Sequence, residues 1–391
     1  MKITKNILAV FAVAFLIGYK FFMVEGNRAI TYGYAIIELL SIIILIAYGN
    51  WKLKAAKEFF IVFFLELYIF ILTFLENAIT YSYLCLFVGE VFLCLFIVSN
   101  IKEKNIEIIS IFCNAMNILF IIDVISVVIA LILHKHSNDS FGIVGHKNYH
   151  AFFFILTIGF IALDKHVQRK KIFDLSTIII CSIAEIIEII VHSASGSVAV
   201  LLLVFLLYFS NIRKIKFYKL NIIIMMLLVI NLVLVLGFSN QGIIQFIRLL
   251  GRDSGLTGRA AIWAKTFELI YKRYFYGYGF YKTIHIYFVD LGWINNHCHN
   301  FWLNLIVSGG AIYAFLILFL IFKIAKIVDK DQSIINYIFT SVVGCYLLLG
   351  VSEIIVNVNA MLFPLLLFCY YSQIFNERYS QDNLVYSQDG N

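Results

Sequence analysis

Charged residues are scarce in this 391-residue chain: only 14% are Asp, Glu, Lys or Arg, whereas 62% are hydrophobic. A soluble domain carries about 25% charged residues to hydrate its surface, so this composition excludes a soluble protein. Proline is nearly absent, with Pro364 as the single example. Because proline interrupts helices, its absence favours long, continuous apolar helices.

Cysteine is present but without a pattern that carries chemistry. The seven cysteines include no CxxC pair, and six of them fall in hydrophobic runs, where a cysteine acts as a small hydrophobe. Neither a disulfide framework, a metal site nor a redox role is indicated. The first hydrophobic run also lacks a small-residue cleavage site, so we interpret it as a membrane helix rather than a signal peptide.

Apolar runs of membrane-spanning length recur along almost the whole chain. About 20 apolar residues of helix cross a hydrocarbon core of about 30 Å. We therefore predict an all-α fold, a polytopic membrane protein with about 12 transmembrane helices in a single transmembrane domain over residues 1–391. The predicted spans are roughly 6–24, 31–49, 58–75, 79–99, 108–133, 149–163, 173–192, 197–210, 220–238, 299–322, 335–351 and 355–372.

Basic residues lie mainly in alternate loops between these spans. Most of the 30 lysines and arginines fall in one set of loops and near the two termini. Cytoplasmic loops collect such residues, so we predict a multi-pass membrane protein with both termini cytoplasmic. These residues and a basic patch in one long loop explain the net charge of +7, without any role in binding nucleic acid.

The long loop, residues 239–298, is predicted to be extracytoplasmic. Loops of this length in compact proteins are usually functional. Near residues 259–274, Trp263, Phe267, Ile270 and Tyr274 fall on one helical face, which predicts an amphipathic helix. Two interpretations of that face stay open: contact with the membrane interface, or packing on the ends of the membrane helices.

Two histidines stand at the end of this loop, His297 and His299, just before a hydrophobic run. No third Cys or His lies at ligand spacing, so a zinc site is not favoured. We interpret one of these histidines as lining the rim of a pocket, while an inert exposed role stays open.

Three motifs occur in a fixed order: Gly258-Arg259-x-x-x-Trp263, Gly277-Tyr278-Gly279 and His299-Asn300-x-x-Leu303. Together they resemble the signature of the O-antigen polymerase and ligase superfamily, the Wzy-type polymerases and WaaL-type ligases of bacterial surface polysaccharide. The resemblance is strongest over about residues 240–320. It extends to the whole chain through helix number, orientation and loop placement.

Two upstream segments are similar to the family but depart from its pattern. Residues 145–149, Gly-His-Lys-Asn-Tyr, stand where members often have Gly-x-Pro-Asn, with Lys147 in place of the proline. Residues 192–197, His-Ser-Ala-Ser-Gly-Ser, stand where many have a Ser-Arg pair, and contain no arginine. A second cationic contact would therefore come from elsewhere, and Arg248 and Arg252 are the candidates.

The resemblance implies a polymerase of O-antigen, capsule or exopolysaccharide. Such an enzyme transfers an undecaprenyl-diphosphate-linked oligosaccharide onto a sugar hydroxyl of another lipid-linked unit, outside the cytoplasmic membrane. It implies a metal-independent glycosyltransferase without a cofactor, in contact with membrane lipid. The protein partners that it implies are a flippase and a chain-length regulator.

Candidate site residues follow from this chemistry. An arginine fork suits phosphate oxygens, so Arg259 is the first candidate for stabilising the departing diphosphate. His299 is the candidate for accepting the proton of the attacking sugar hydroxyl. Near the outer end of one span, Glu188 and His192 share a helix face and either contact sugars or pair with each other. The candidate substrate-binding residues are Arg252, Arg248, His297, Glu188 and His192.

Two other functions stay open. A ligase of the same superfamily uses the same donor and the same motifs. A transporter, such as a flippase for lipid-linked oligosaccharides, suits twelve spans and intramembrane carboxylates. Against a transporter, the two halves show no clear repeat, and helices broken by glycine or proline are scarce.

Overall fold

The computed structural model describes residues 2–21, 28–49, 57–76, 81–133, 140–142, 145–213, 219–237, 259–279, 298–330 and 333–353, with Pro364, Leu366, Leu367 and Tyr371. This part of the chain is almost entirely helical. Two antiparallel two-residue strands, β1 (Ser140–Phe141) and β2 (Gly145–His146), precede the fifth helix. The helices are α1 (Lys2–Phe21), α2 (Arg28–Tyr48), α3 (Lys57–Leu75), α4 (Tyr81–Ile132), α5 (Tyr149–Val167), α6 (Leu175–Ile190), α7 (Ala194–Arg213), α8 (Leu220–Gly237), α9 (Arg259–Lys272), α10 (Phe301–Val328) and α11 (Ile334–Ser352).

Several of these helices are suited to a membrane. Five have the length and apolar composition to cross one: Ile106–Ile132, Tyr149–Val167, Leu220–Gly237, Phe301–Val328 and Ile334–Ser352. Shorter apolar helices accompany them in α1, α2, α3, α7 and the first part of α4. The structure therefore supports an all-helical polytopic membrane protein, while the number of twelve spans stays a prediction. The last predicted span, 355–372, lies outside the described residues except for the four positions named above.

The 52-residue helix α4 corresponds to two predicted spans joined end to end. Lys104 interrupts it with non-helical backbone (φ −131°, ψ 34°) between the spans predicted at 79–99 and 108–133. The Lys104 ammonium donates to the Tyr48 carbonyl oxygen at 3.2 Å and lies 4.5 Å from the Tyr48 ring centroid. The kink is thus held against the end of α2.

Helices α5 and α11 form the centre of the bundle, and both are mostly buried by protein. Helix α11 packs against α5, α7, α8 and α10. Gly159 of α5 permits this close approach, because a Cβ there would lie 2.5 Å from Val342 Cγ2 of α11. Since the central helices are covered by other helices, their polar groups must find partners within the protein.

Alternate helix ends gather at one end of the bundle, which we call the site end. Helices α5, α7 and α10 begin there, and α6 and α11 end there. At the opposite end, the Asp329 carboxylate accepts from the first backbone N–H groups of α8, at 2.6 Å from Leu220 N and 3.1 Å from Asn221 N. The basic turn between α5 and α6 also lies at that opposite end.

Candidate functional site

The candidate site is built around a carboxylate that the sequence analysis did not identify. Glu353 follows the last turn of α11, where the backbone becomes extended (φ −139°, ψ 166°). Its side chain is 0% exposed. A buried carboxylate is costly unless it is hydrogen-bonded and paired with positive charge. The surroundings of Glu353 meet both requirements.

Three side chains from three other segments contact the Glu353 carboxylate. Asn148 Nδ2 donates to Oε1 at 2.6 Å, and the Arg259 guanidinium donates to the same oxygen through Nη2. His299 Nδ1 lies 3.2 Å from Oε2. The two residues predicted to be catalytic therefore meet at one buried acid. We call Asn148, Arg259, His299 and Glu353 the Glu353 cluster.

Local structure holds Arg259 and His299 in place. Arg259 is the first residue of α9, and one turn later the Trp263 indole donates from Nε1 to the Cys298 carbonyl oxygen at 3.0 Å. This bond ties α9 to the segment that carries His299. His299 itself has a left-handed backbone (φ 46°), which costs a non-glycine residue about 1–3 kcal/mol. The tertiary contacts around His299 offset that cost.

Asn300 joins three helices directly beside His299. Its Oδ1 accepts from Leu303 N at 2.9 Å and caps the start of α10. Its Nδ2 donates to Asn231 Oδ1 of α8 at 2.5 Å and to the Val351 carbonyl oxygen of α11 at 2.9 Å. The Asn-x-x-Leu part of the predicted motif thus has a structural role, which fixes the end of α11 two residues before Glu353.

The two upstream segments that are similar to the family, residues 145–149 and 192–197, also contribute to the Glu353 cluster. Asn148 stands at the N-cap position of α5, and its Oδ1 accepts from Ser193 Oγ at 3.2 Å. Ser193 lies in the turn between α6 and α7, and its backbone N–H donates to the Glu188 carbonyl oxygen at 3.0 Å. Segments that stand 45 residues apart in sequence therefore support the same carboxylate.

Glu188 and His192 are not brought together. The Glu188 side chain is fully buried beside Ser193 and Gly196, whereas His192 is exposed. Helix α6 ends at Ile190, and His192 adopts a left-handed backbone (φ 56°). The alternative of an i,i+4 pair is therefore wrong, because the helical geometry that it requires ends before His192.

Three further candidates, Arg248, Arg252 and His297, lie outside the described residues. Sequence reasoning missed Glu353 because it stands in the short interval between the spans predicted at 335–351 and 355–372, where a charged residue is typical of an ordinary loop. A lone acid between two long apolar runs was the only signal available.

Helix α9 packs its aromatic face on the bundle. Trp263, Ile262 and Leu269 are buried against Leu303 and Val307 of α10, and Phe267 and Ile270 pack partly against the same group. The predicted packing on the membrane helices is present for Trp263, Phe267 and Ile270. The helix is thereby fixed over the start of α10. Tyr274 of the predicted face follows the end of α9 at Lys272 and is 53% exposed.

The Gly277-Tyr278-Gly279 motif packs on a break in α10. Gly310 has φ 72°, so the helix is interrupted there and the carbonyl groups before it are released. Tyr278 N donates to the Val307 carbonyl oxygen at 2.9 Å, and Gly279 N donates to that of Ser308 at 2.8 Å. A Cβ on Gly277 would lie 2.5 Å from Ser308 O, so only glycine permits this backbone approach.

Cys298 is fully buried. Burial raises the pKa of its thiol to about 12, so the thiol is protonated at neutral pH. Within the described ranges, no group of three His, Cys, Asp or Glu side chains is arranged to hold a metal ion.

Apolar helices that carry a polar cluster at one end define a polytopic membrane protein with a site at its helix ends. A protein-family model described as O-antigen ligase matches residues 179–319. The matched segment contains Arg259 and His299, and it confirms the resemblance of the chain to the O-antigen polymerase and ligase superfamily. No curated protein matches the chain. Asn148 and Glu353 lie outside the matched segment, and they contact Ser193 and Arg259 within it.

Proposed function

We propose that this protein is a polymerase of bacterial surface polysaccharide. It transfers an undecaprenyl-diphosphate-linked oligosaccharide onto a sugar hydroxyl of a second lipid-linked unit, outside the cytoplasmic membrane. The observation that carries the proposal is the meeting of Arg259 and His299 at buried Glu353, in a membrane protein that resembles this superfamily.

Arg259 is proposed to bind the diphosphate of the donor. Its guanidinium has five N–H donors, and the bond to Glu353 uses Nη2. The side chain is 17% exposed, so part of it faces the space where a substrate would enter. Positive charge fixed beside the leaving oxygen stabilises the negative charge that develops there, which is usually the largest catalytic contribution.

His299 is proposed to act as the general base. When Glu353 Oε2 accepts from Nδ1–H, the other ring nitrogen, Nε2, keeps its lone pair for the incoming hydroxyl. The hydroxyl oxygen then bonds to the anomeric carbon, and its proton moves to His299 Nε2. The bond from that carbon to the diphosphate oxygen breaks, and its electron pair leaves with the lipid diphosphate beside Arg259. This single displacement inverts the anomeric configuration.

Glu353 is proposed as the positioning residue for both groups. Its carboxylate orients Arg259 toward the leaving group and His299 toward the nucleophile. Asn148 donates to the same carboxylate, and Ser193 in turn donates to Asn148. Glu353 itself does not touch the reacting atoms in this proposal. Its contribution is to fix the distance between the two groups that do.

A ligase is the second candidate, because the matching family model is described as O-antigen ligase. A ligase breaks the same bond of the same donor and needs the same two roles of Arg259 and His299. It differs in the acceptor, which is a molecule other than another lipid-linked repeat. The size distribution of the cellular glycans separates these two functions.

The test is to delete the gene in its host and to complement with wild type, Arg259→Ala, His299→Ala or Lys265→Ala at equal protein level. Lys265 is the matched control, because it is a basic residue of α9 that pairs with Glu268 at the surface, 3.0 Å away. Lipid-linked and surface glycans are then resolved by size.

For a polymerase, deletion leaves single lipid-linked repeats, and only wild type and Lys265→Ala restore long chains. Full-length chains stranded on lipid after deletion would establish the ligase instead. Glycans that do not change on deletion would contradict both candidates. Full activity of His299→Ala would remove the general base from the mechanism.

A further inference from the structure

A second concave surface lies at the other end of α9 from Arg259. A cavity of about 470 Å³ opens between the last turn of α3 and the segment that follows α9. Its volume lies within the range of small-ligand sites. Its walls include Glu76 from the α3 side and Arg273, Tyr274, Phe275 and Tyr276 from the other side.

The cavity combines exposed rings with a fixed ion pair. The Arg273 guanidinium binds the Glu76 carboxylate and lies 4.7 Å from the Tyr278 ring centroid. Tyr274 and Phe275 meet edge to face at 5.2 Å, and the Tyr276 side chain is 63% exposed. The rings provide flat apolar surfaces, while the guanidinium, carboxylate and phenol groups provide hydrogen-bond donors and acceptors.

The backbone beneath these rings is hydrogen-bonded to two membrane helices. The Tyr68 hydroxyl donates to the carbonyl oxygens of Gly309 at 3.1 Å and Tyr276 at 3.4 Å. Ala311 N donates to the Tyr274 carbonyl oxygen at 2.8 Å, across the break in α10. The aromatic segment is therefore fixed to α3 and α10 before any ligand arrives, which lowers the entropy cost of binding.

We propose that this cavity binds saccharide units of the lipid-linked glycan, remote from the bond that is made. The proposal rests on the proposed function. Sugar rings present apolar C–H faces and hydroxyl edges, and the cavity offers a matching set of aromatic rings and charged hydrogen-bonding groups. We call it the remote sugar site.

The position of the remote sugar site relative to Arg259 suits an extended glycan. Helix α9 has 14 residues and therefore runs about 20 Å from Arg259 to Lys272. An oligosaccharide whose reacting end lies at the Glu353 cluster would reach the cavity with sugars several units away. Binding energy from such remote sugars would strengthen binding of the donor equally in the ground and transition states, and would favour longer glycans.

A competing explanation is that these aromatic residues anchor the protein in the membrane interface. A substitution at Tyr271 distinguishes a membrane anchor from a sugar site. Tyr271 is 89% exposed on the last turn of α9 but does not line the cavity. A membrane anchor would depend on exposed aromatic residues whether or not they line the cavity. A sugar site depends on Tyr276 and not on Tyr271.

The experiment measures kcat and KM of purified full-length protein for the lipid-linked repeat that the deletion strain accumulates. The variants are Tyr276→Ala, Tyr276→Phe, Glu76→Gln and the control Tyr271→Ala. We expect Tyr276→Ala to raise KM about three- to tenfold with kcat within about twofold, because the contact is made equally in ground and transition states. Tyr276→Phe, which keeps the ring, and Tyr271→Ala should stay near wild type. Glu76→Gln should also raise KM. This variant tests the proposal if Tyr276→Ala does not fold.

An unchanged KM in both Tyr276→Ala and Glu76→Gln would overturn the proposal, and so would an equal rise in Tyr271→Ala. If wild type makes no polymer, the proposed function fails, and binding is then measured directly with the glycan released from its lipid. Saturation transfer to that glycan from wild type but not from Tyr276→Ala supports the remote sugar site. No transfer from wild type would overturn it.

Discussion

Glu353 illustrates how one buried charge organises a site. Its carboxylate is fully buried, whereas Arg259 and His299 are each partly exposed. The cost of burying the carboxylate is offset only while positive or hydrogen-bonding groups remain beside it. The negative charge of residue 353, rather than the size of its side chain, therefore holds the arginine and the histidine in register.

At this scale we predict that Glu353→Gln lowers polymer synthesis about 10- to 100-fold at unchanged protein level. The amide keeps the shape and the contact with Asn148, but it removes the charge that pairs with Arg259 and orients His299. Single-turnover rates on the lipid-linked repeat measure the effect.

The matched control is Glu90→Gln, which neutralises a buried carboxylate of α4 that is not part of the cluster. This variant should keep a normal rate. Equal loss from both substitutions would mean that the effect does not depend on the contacts with Arg259 and His299, and that Glu353 has no specific role in positioning.

Helix termini, rather than helix faces, form the site. Asn148 precedes α5, Ser193 precedes α7, Arg259 opens α9, His299 precedes α10 and Glu353 follows α11. Residues at such ends have backbone groups without helical partners and side chains that turn inward to satisfy them. The precision of the cluster therefore depends on how tightly neighbouring helix ends pack.

The junction between α6 and α7 is close-packed, and Gly196→Ala in the first turn of α7 tests it. A Cβ on Gly196 would lie 1.9 Å from Glu188 Oε2 and 2.5 Å from Ser193 Oγ, in a fully buried environment. We predict a loss of about 1–3 kcal/mol in the free energy of unfolding, together with slower synthesis because Ser193 shifts away from Asn148. Thermal unfolding in detergent and initial rates measure the two effects.

Gly33→Ala is the corresponding control, because no heavy atom lies within 4 Å of a Cβ built at this position of α2. Alanine in a helix is favoured over glycine by about 0.5–1 kcal/mol. The control should therefore be neutral or slightly stabilising. A similar loss from both substitutions would indicate that the turn at Gly196 is not unusually close-packed.

At the scale of the whole molecule, the Glu353 cluster lies at the site end of the bundle, and the described basic turn, between α5 and α6, lies at the opposite end. Combined with the preference of lysine and arginine for the cytoplasm, this separation favours a site that faces the outside. Orientation is thus a property of the complete bundle, and it decides which substrates can reach Arg259.

We predict opposite labelling of two single-cysteine variants in a background without native cysteines. Tyr271→Cys, at the end of α9, should react with a membrane-impermeant maleimide on intact cells. Lys170→Cys, in the turn after α5, should react only after the cells are opened. The reverse pattern would place the Glu353 cluster in the cytoplasm and contradict transfer outside the membrane.

The sequence by itself determined the helical membrane architecture and two members of the cluster. Continuous apolar runs are local information, and most of α2, α3, α5, α8 and α11 follows the predicted spans. Arg259 and His299 were found because each stands in a short motif whose residue types carry phosphate and proton chemistry. Both kinds of signal act over a few residues, so they need no knowledge of the fold.

Only the tertiary structure decided which residues complete the cluster. Glu353 is separated in sequence from His299 by 54 residues, from Arg259 by 94 and from Asn148 by 205. The same holds for the remote sugar site, in which Arg273 binds Glu76 across 197 residues. A buried charge is stabilised by groups that lie close to it in space. Helix packing brings these groups together from positions that are distant in sequence.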